Sequence, residues 1–245
     1  LVGSEMCIRD RNCTALHSAS ASGSAELISL LLDVGADVNQ EADGGWTALQ
    51  RASFEGNLNG VKTLLEHGSA VDWQDCDGKS ALHRACSNGE RAVAQLLLIW
   101  DANINLVDAT GNTPLHYASQ AGNTMLVIML VFMGANLDAK NSLGNTPLHS
   151  ALHSECPSSR TIKHLLLCGA EVTEKDIRES AWMDSWLENL LHAADDWTAC
   201  TETDTLCHLD ASQEATYHED YWSDDWSDYS SGWHTSNGQD SDTFS

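Results

Sequence analysis

The sequence predicts an all-α repeat solenoid, in which short helix–turn–helix units stack side by side. The hexapeptide GNTPLH occurs at Gly111–His116 and returns 33 residues later at Gly144–His149. Related phrases recur upstream at the same interval, and each is anchored on a threonine or serine: Thr14, Thr47, Ser80, Thr113 and Thr146. Within each unit the apolar residues follow helical spacing, in two helices too short to bury their stripes unless the units stack.

Residues 111–143 show how the sequence of one unit predicts two helices. Thr113 is a good helix N-cap, and Pro114 suits the first helical position, where its missing N–H costs nothing. Gly122 can adopt a positive φ and end the first helix, as Gly134 can end the second. The second helix carries one apolar stripe: Leu126, Val127, Leu130 and Val131.

These units resemble the ankyrin repeat family. The matching letters are TPLHYASQAG and LVFMGANLDAKN in the fourth unit, and TALHSASASG and LLLDVGADVN in the first. The resemblance departs at Gln50, which replaces the motif histidine, and at Asp101, which replaces a helix-ending glycine. At Glu155 a glycine is missing and two residues are added, so we expect a distorted helix–helix loop there. The predicted repeats are residues 12–44, 45–77, 78–110, 111–143 and 144–177.

Three segments lie outside the predicted repeats. Residues 1–11 do not match the period and resemble translated adapter sequence. Residues 178–196 keep a helical apolar stripe and are predicted to form a capping helix after a Thr173–Asp176 capping-box pair, with a docking helix for a partner as the alternative. Residues 197–245 are acidic and rich in Ser, Trp and Tyr, which predicts a disordered tail. That tail is either a plain solvated segment or a docking or activation segment.

The charge and the apolar runs exclude several classes of function. The chain has 36 Asp and Glu against 12 Lys and Arg, a formal net charge of −24. Of these, residues 178–245 hold 16 acids and one base, so phosphate backbones would repel them and nucleic acid is not an expected partner. The longest apolar run, Met125–Met133, is shorter than the roughly 18 residues that span a bilayer and predicts a buried helix instead of a membrane partner. Eight cysteines without a CxxC pair and no visible signal peptide indicate reduced thiols in the cytoplasm or nucleus.

No group of residues is arranged as a catalytic or metal site. Four histidines recur once per unit, so hydrogen bonding within and between units is favoured over a metal or acid–base ladder: His17, His83, His116 and His149. A zinc site is disfavoured because its four candidate ligands lack a recognised spacing: His192, Cys200, Cys207 and His208. The sequence predicts no enzyme and no cofactor.

The family resemblance implies a curved solenoid that binds partners on its concave face, formed by turn tips and first helices. We call the large side chains predicted there the concave strip: Trp46, Arg51, Phe54, Lys79, Arg84, Tyr117 and Leu143. Its helical members, Arg84 among them, are predicted to be exposed at positions that the core does not need. Interface hot spots are enriched in Trp, Tyr and Arg. The three cations of the strip predict an acidic peptide as ligand, or the chain's own acidic tail.

The predicted function is that of a monomeric, non-enzymatic module that binds a protein or peptide. Two alternatives remain open: a substrate-recruiting subunit of a larger enzyme such as a ubiquitin ligase, and a transcriptional co-regulator that uses the acidic tail. The phrases that end at Asn39 and Asn105 also resemble ankyrin-type substrates of an asparaginyl hydroxylase. Hydroxylation is one hypothesis for these residues, and bracing of the turn by the side chain is the other.

Overall fold

The computed structural model describes residues 14–154, 157–173 and 175–176. Within them the chain forms ten helices in five consecutive pairs and no strand, which confirms the predicted all-α class. The first helices are α1 (Ala15–Ser22), α3 (Ala48–Phe54), α5 (Ala81–Asn88), α7 (Pro114–Gln120) and α9 (Pro147–Leu152). The second helices are α2 (Ala25–Asp33), α4 (Leu58–Glu66), α6 (Arg91–Ile99), α8 (Thr124–Phe132) and α10 (Ser159–Leu167).

Some predictions concern residues outside the described ranges. They are the segment 1–11, the loop at Glu155 and Cys156, the capping helix 178–196, the tail 197–245 with its docking in cis, and the zinc candidates His192, Cys200, Cys207 and His208. Around the loop, α9 ends at Leu152 and α10 begins at Ser159. The Ser158 side chain caps α10 by accepting a hydrogen bond from the Thr161 N–H.

Local sequence sets where the helices begin and end. Thr47 and Gln50 form a capping box, in which each side chain accepts a hydrogen bond from the backbone N–H of the other. Pro114 is the first residue of α7, as predicted, and Pro147 is the first residue of α9. Each second helix is followed by a residue with positive φ, which is glycine in four pairs and Asp101, at φ 61°, in the third.

The five pairs stack through both of their helices. Each first helix contacts the next first helix, and each second helix contacts the next second helix. The core is continuous because the same leucine and alanine of every first helix are buried: Leu16, Leu49, Leu82, Leu115 and Leu148, with Ala19, Ala52, Ala85, Ala118 and Ala151. The small alanines let neighbouring helices approach closely, so stacking buries the stripes that no pair could bury alone.

A tight turn precedes each first helix from α3 to α9. We call these finger turns, residues 42–46, 75–79, 108–112 and 141–145; in each, the first residue's N–H donates to the last residue's carbonyl. One backbone hydrogen bond joins each finger turn to the next. The three bonds run from Cys76 to Gly44, from Ala109 to Asp77 and from Ser142 to Thr110, at 2.9–3.0 Å.

Gly78 shows why the period demands glycine at this place. Its φ is 74°, in the left-handed region that other residues rarely adopt. A Cβ added there would also lie 2.5 Å from the backbone nitrogen of Ala109, in the next finger turn. Close contact between adjacent turns therefore depends on the missing side chain.

The recurring histidines hold finger turns to helices, which confirms their predicted structural role. In His116, Nδ1 accepts the Thr113 N–H at 3.1 Å, and Nε2 lies 3.0 Å from the carbonyl oxygen of Asn145, the last residue of the next finger turn. Nδ1 of His83 likewise accepts the Ser80 N–H, whereas Nδ1 of His17 lies 2.8 Å from the Thr14 hydroxyl oxygen. Nε2 of His17 lies 2.8 Å from the Trp46 carbonyl oxygen, and Nε2 of His83 lies 3.1 Å from that of Asn112. Burial lowers the pKa of all three rings, although each carbonyl contact raises it in part.

Gln50 performs the same task with an amide. Its Oε1 accepts the Thr47 N–H at 2.9 Å, and its Nε2 donates to the Lys79 carbonyl at 2.8 Å and to the Trp73 carbonyl at 2.9 Å. The departure from the motif at this position therefore preserves both hydrogen bonds without a titratable group.

His149 lies in the fifth pair and has a different partner. Its Nδ1 is 2.7 Å from Oδ1 of the buried Asp176. Oδ2 of Asp176 accepts from both the N–H and the hydroxyl of Thr173, whose Oγ1 accepts from the Asp176 N–H in turn. The predicted Thr173–Asp176 pair is confirmed, and it fixes a carboxylate against the last described first helix.

Candidate partner-binding surface

Arg84 is bound to a buried carboxylate in the finger turn that precedes its helix. Its guanidinium forms an ion pair with Asp75, the first residue of the finger turn, and lies 3.7 Å from Asp77. Arg84 is only 9% exposed and the Asp75 side chain is fully buried. The prediction that Arg84 is an exposed residue which the fold does not need is therefore wrong. The Arg84 guanidinium therefore holds the finger turn through Asp75. Oδ1 of Asp75 also accepts a hydrogen bond from the Lys79 N–H of the same turn.

Tyr117 occupies the same place in the fourth pair. Its hydroxyl donates to Oδ2 of Asp108 at 2.6 Å, again nine residues earlier and at the start of a finger turn. Burial alone would raise the pKa of Asp108, but hydrogen bonds from Tyr117, Thr110 and Asn112 outweigh it and lower the pKa. Burial and the bond to Asp108 raise the pKa of Tyr117, so the hydroxyl stays protonated.

Arg51 is the equivalent residue in the second pair. Its finger turn begins with Ala42, whose side chain has no hydrogen-bond acceptor. The guanidinium turns instead to Glu55, four residues along α3, at 2.9 Å. The Arg51 side chain is 43% exposed. An exposed pair of this kind contributes little to stability, so Arg51 is accessible to a partner in a way that Arg84 is not.

The aromatic residues of the strip are fixed by their neighbours. The guanidinium carbon of Arg84 lies 3.9 Å from the ring centre of Trp46, in cation–π geometry. Trp46 also packs edge-on against Phe54, with ring centres 6.0 Å apart. Both aromatic residues are half-buried. We call Trp46, Phe54 and Arg84 the aromatic cluster; it connects the first finger turn, which ends at Trp46, with Asp75 of the second.

Further along the strip, Lys79 and Tyr117 form a second contact. Lys79 Nζ lies 5.0 Å from the Tyr117 ring centre, and that ring meets His83 edge-on at 5.9 Å. Leu143, in the last described finger turn, is 75% exposed. Its carbonyl accepts a hydrogen bond from Lys175 Nζ at 3.1 Å, which anchors the turn but leaves the leucine side chain in solvent.

These ion pairs change the expected electrostatics of the strip. Arg84 is matched by Asp75 and Asp77, and Arg51 is matched by Glu55. The positive charge of the two arginines, from which an acidic ligand was predicted, is thus offset by neighbouring carboxylates outside the strip. The uncharged members of the strip are aromatic or aliphatic: Trp46, Phe54, Tyr117 and Leu143.

The stacked pairs and their finger turns agree with the comparison against protein families. The family model described as ankyrin repeats (3 copies) matches residues 1–75, 68–141 and 98–176, which together extend over more than half of the chain. The chain belongs to the ankyrin repeat family. Ankyrin repeats are generally protein–protein interaction modules and are typically non-enzymatic. A search of curated proteins gave no match.

In this ankyrin chain, Asn39 and Asn105 brace the connection to the next repeat. Oδ1 of Asn39 accepts the Ala70 N–H at 2.9 Å, and Oδ1 of Asn105 accepts the Asn136 N–H at 2.8 Å. The bracing role is confirmed, and hydroxylation of the two residues stays a prediction.

Sequence reasoning missed that carboxylates alternate with these asparagines. Asp72 Oδ1 accepts the Asn103 N–H at 3.0 Å, and Asp138 Oδ1 accepts the Glu171 N–H at 2.9 Å. The four residues recur every 33 positions. That period was the available signal, because Asp and Asn both offer the required oxygen at the same place.

Residues 14–154, 157–173 and 175–176 contain no group of three or more His, Cys, Asp or Glu side chains placed to hold a metal ion. None of the helices within these ranges is long and apolar enough to cross a membrane.

Proposed function

We propose that this ankyrin chain is a non-enzymatic interaction module that binds a segment of a partner protein along the concave strip. The aromatic cluster is the observation that carries the proposal. Trp46 is fixed between Phe54 and Arg84, and Arg84 is itself fixed by Asp75, so a partner meets a surface whose side chains are already ordered. Ordering side chains on binding costs about 0.5–1.5 kcal/mol each, and a preorganised surface avoids that cost.

The strip suits a ligand that contacts several finger turns in succession. Trp46, Lys79 and Leu143 belong to three of the four turns, and the turns are joined by backbone hydrogen bonds that keep their spacing fixed. A short extended segment of a partner could place apolar side chains against Trp46 and Leu143 together. Because the strip's arginines are paired internally, we expect only a weak dependence of affinity on salt.

Selection of peptides against the purified full chain tests this proposal. Peptides from a random display library are titrated against Arg51→Ala and Leu143→Ala, which alter exposed strip side chains, and against Glu66→Ala, an exposed control on α4. Arg51→Ala and Leu143→Ala should each weaken binding by about 1–3 kcal/mol. Glu66→Ala should change the binding free energy by no more than about 0.5 kcal/mol. Equal affinity for all three variants would place the binding surface elsewhere.

A further inference from the structure

The outer side of α8 is apolar although it faces solvent. The helix reads TMLVIMLVF and contains no charged residue. Only Leu126, Val127 and Leu130 are buried, while Met125 and Phe132 are exposed. The prediction that this run forms a buried helix is therefore wrong for its outer face. A helix that is apolar all round normally lies within a core, so the exposed face of α8 lacks the cover that its composition suits.

The apolar surface continues onto both neighbouring helices. The last residue of each second helix occupies the same position in the stack, and in α2 and α4 it is Asp33 and Glu66. In α6, α8 and α10 it is Ile99, Phe132 and Leu167, which are 49%, 64% and 54% exposed. Because α8 contacts both α6 and α10, these side chains lie on adjacent helices. We call Ile99, Met125, Phe132 and Leu167 the outer row.

The charges around the outer row are of one sign within its three helices. α6 contributes Arg91 and α10 contributes Arg160 and Lys163, and no aspartate or glutamate occurs in α6, α8 or α10. Glu90, just before α6, accepts a hydrogen bond from Asn88. Asp101, just after α6, is the other carboxylate close to this helix in sequence. α6 and α10 therefore have a positive balance and α8 is uncharged, in a chain whose formal net charge is −24.

We propose that the outer row docks an acidic amphipathic helix of a partner protein. Such a helix would lay its apolar stripe on Ile99, Phe132 and Leu167, and its flanking carboxylates would meet Arg91 of α6 and Arg160 of α10. The strong net negative charge of the chain opposes adsorption to an anionic membrane. Pairing of two outer rows would bring the same cations of two copies together, which disfavours self-association. The proposal is independent of the concave strip.

Two synthetic helical peptides test this assignment. They share one leucine and tryptophan stripe and differ in their flanks, which are glutamate in one and lysine in the other. Binding to the full chain is followed by fluorescence anisotropy. The glutamate-flanked peptide should bind at least about tenfold more tightly. Phe132→Glu, and separately Leu167→Glu, should weaken it by at least about tenfold, since each puts a carboxylate into the row. Trp46→Ala, on the concave strip, is the control and should leave this affinity unchanged.

Four outcomes would overturn the proposal. The first is failure of both peptides to bind, or equal binding of the two. The second is an unchanged affinity in Phe132→Glu and Leu167→Glu variants whose circular dichroism shows them folded. The third is binding of phosphatidylglycerol vesicles that is lost in Phe132→Glu, which would assign the row to a lipid surface. The fourth is a dimer in analytical ultracentrifugation that Phe132→Glu disperses, which would assign it to a second copy.

Discussion

Arg84 and Asp75 form an ion pair between a first helix and the finger turn nine residues before it, and Asp75 has no exposed side-chain surface. Replacing Arg84 with alanine leaves that carboxylate buried without its counter-charge. We expect a loss of about 3 kcal/mol in the free energy of unfolding, the lower end for breaking a buried pair, because two backbone N–H groups still bind Asp75. Urea unfolding measures it.

Arg51→Ala is the matched control for this prediction. Arg51 has the equivalent helical position, but its partner Glu55 is at the surface, so we expect a change of no more than about 0.5 kcal/mol. Similar losses in the two variants would contradict the distinction between a structural Arg84 and an accessible Arg51.

The buried histidine rings predict that the stability of the protein depends on pH. Burial lowers the folded-state pKa of His116 below its ordinary value, so the unfolded chain takes up protons first as the pH falls. The stabilising contribution of the neutral ring is therefore complete above the unfolded pKa, near 6.5, and is lost as the pH falls from there towards the folded value. His116→Gln should flatten the decrease in unfolding free energy between about pH 7 and about pH 5.

Gln50→His supplies the reciprocal test, because Gln50 makes the same two kinds of hydrogen bond with a group that does not titrate. We expect this variant to steepen the same decrease. Urea titrations at a series of pH values measure both slopes. If neither substitution changes its slope, the buried rings do not govern acid sensitivity.

Two glycines allow the stability effect of backbone conformation to be measured separately from that of contact between finger turns. Gly78 and Gly144 have φ values of 74° and 76°, but a Cβ on Gly144 meets no atom of the described residues within 4 Å, whereas one on Gly78 would clash with the backbone of Ala109. Gly144→Ala should cost about 1 kcal/mol through its conformation alone. Gly78→Ala should cost about 1–3 kcal/mol more, because the adjacent turn must move. Equal costs in thermal unfolding would show that turn contact adds nothing.

The bracing bond between repeats is predicted to depend chiefly on an oxygen, because the bond from the Asn105 amide nitrogen to the Gly134 carbonyl is long, at 3.4 Å. Asn105→Asp should be tolerated within about 0.5 kcal/mol, because Asp72 and Asp138 make the equivalent bond in neighbouring repeats. Asn105→Ala removes the acceptor of the Asn136 N–H and should cost about 1 kcal/mol. Chemical denaturation compares the two variants, and equal destabilisation by Asp and Ala would show that the amide nitrogen matters.

The sequence period was enough to predict the repeats, the helix start at Pro114 and the histidine contacts, because each rests on residues close in sequence or repeated at a fixed interval. The period was not enough to predict that Arg84 is buried, because its burial depends on which residue occupies position 75. The comparison of Asp75 and Asp108 with Ala42 shows how one position in the turn decides whether the helical residue is held or exposed.

The sequence was not enough to predict which face of α8 is exposed, for a different reason. A helix with polar residues on one side reveals which side faces solvent, but Met125–Met133 is apolar throughout and has no such side. Only the positions of the neighbouring helices show that Phe132 points outwards.

Hydrogen–deuterium exchange of the full chain, with and without a peptide selected against it, tests most directly whether the concave strip is the partner-binding surface. We predict slower exchange on binding in the finger turns at residues 42–46, 75–79, 108–112 and 141–145, and no change in α6, α8 or α10. Protection confined to residues 91–99, 124–132 and 159–167, with the finger turns unchanged, would contradict the account and place the binding surface on the outer row.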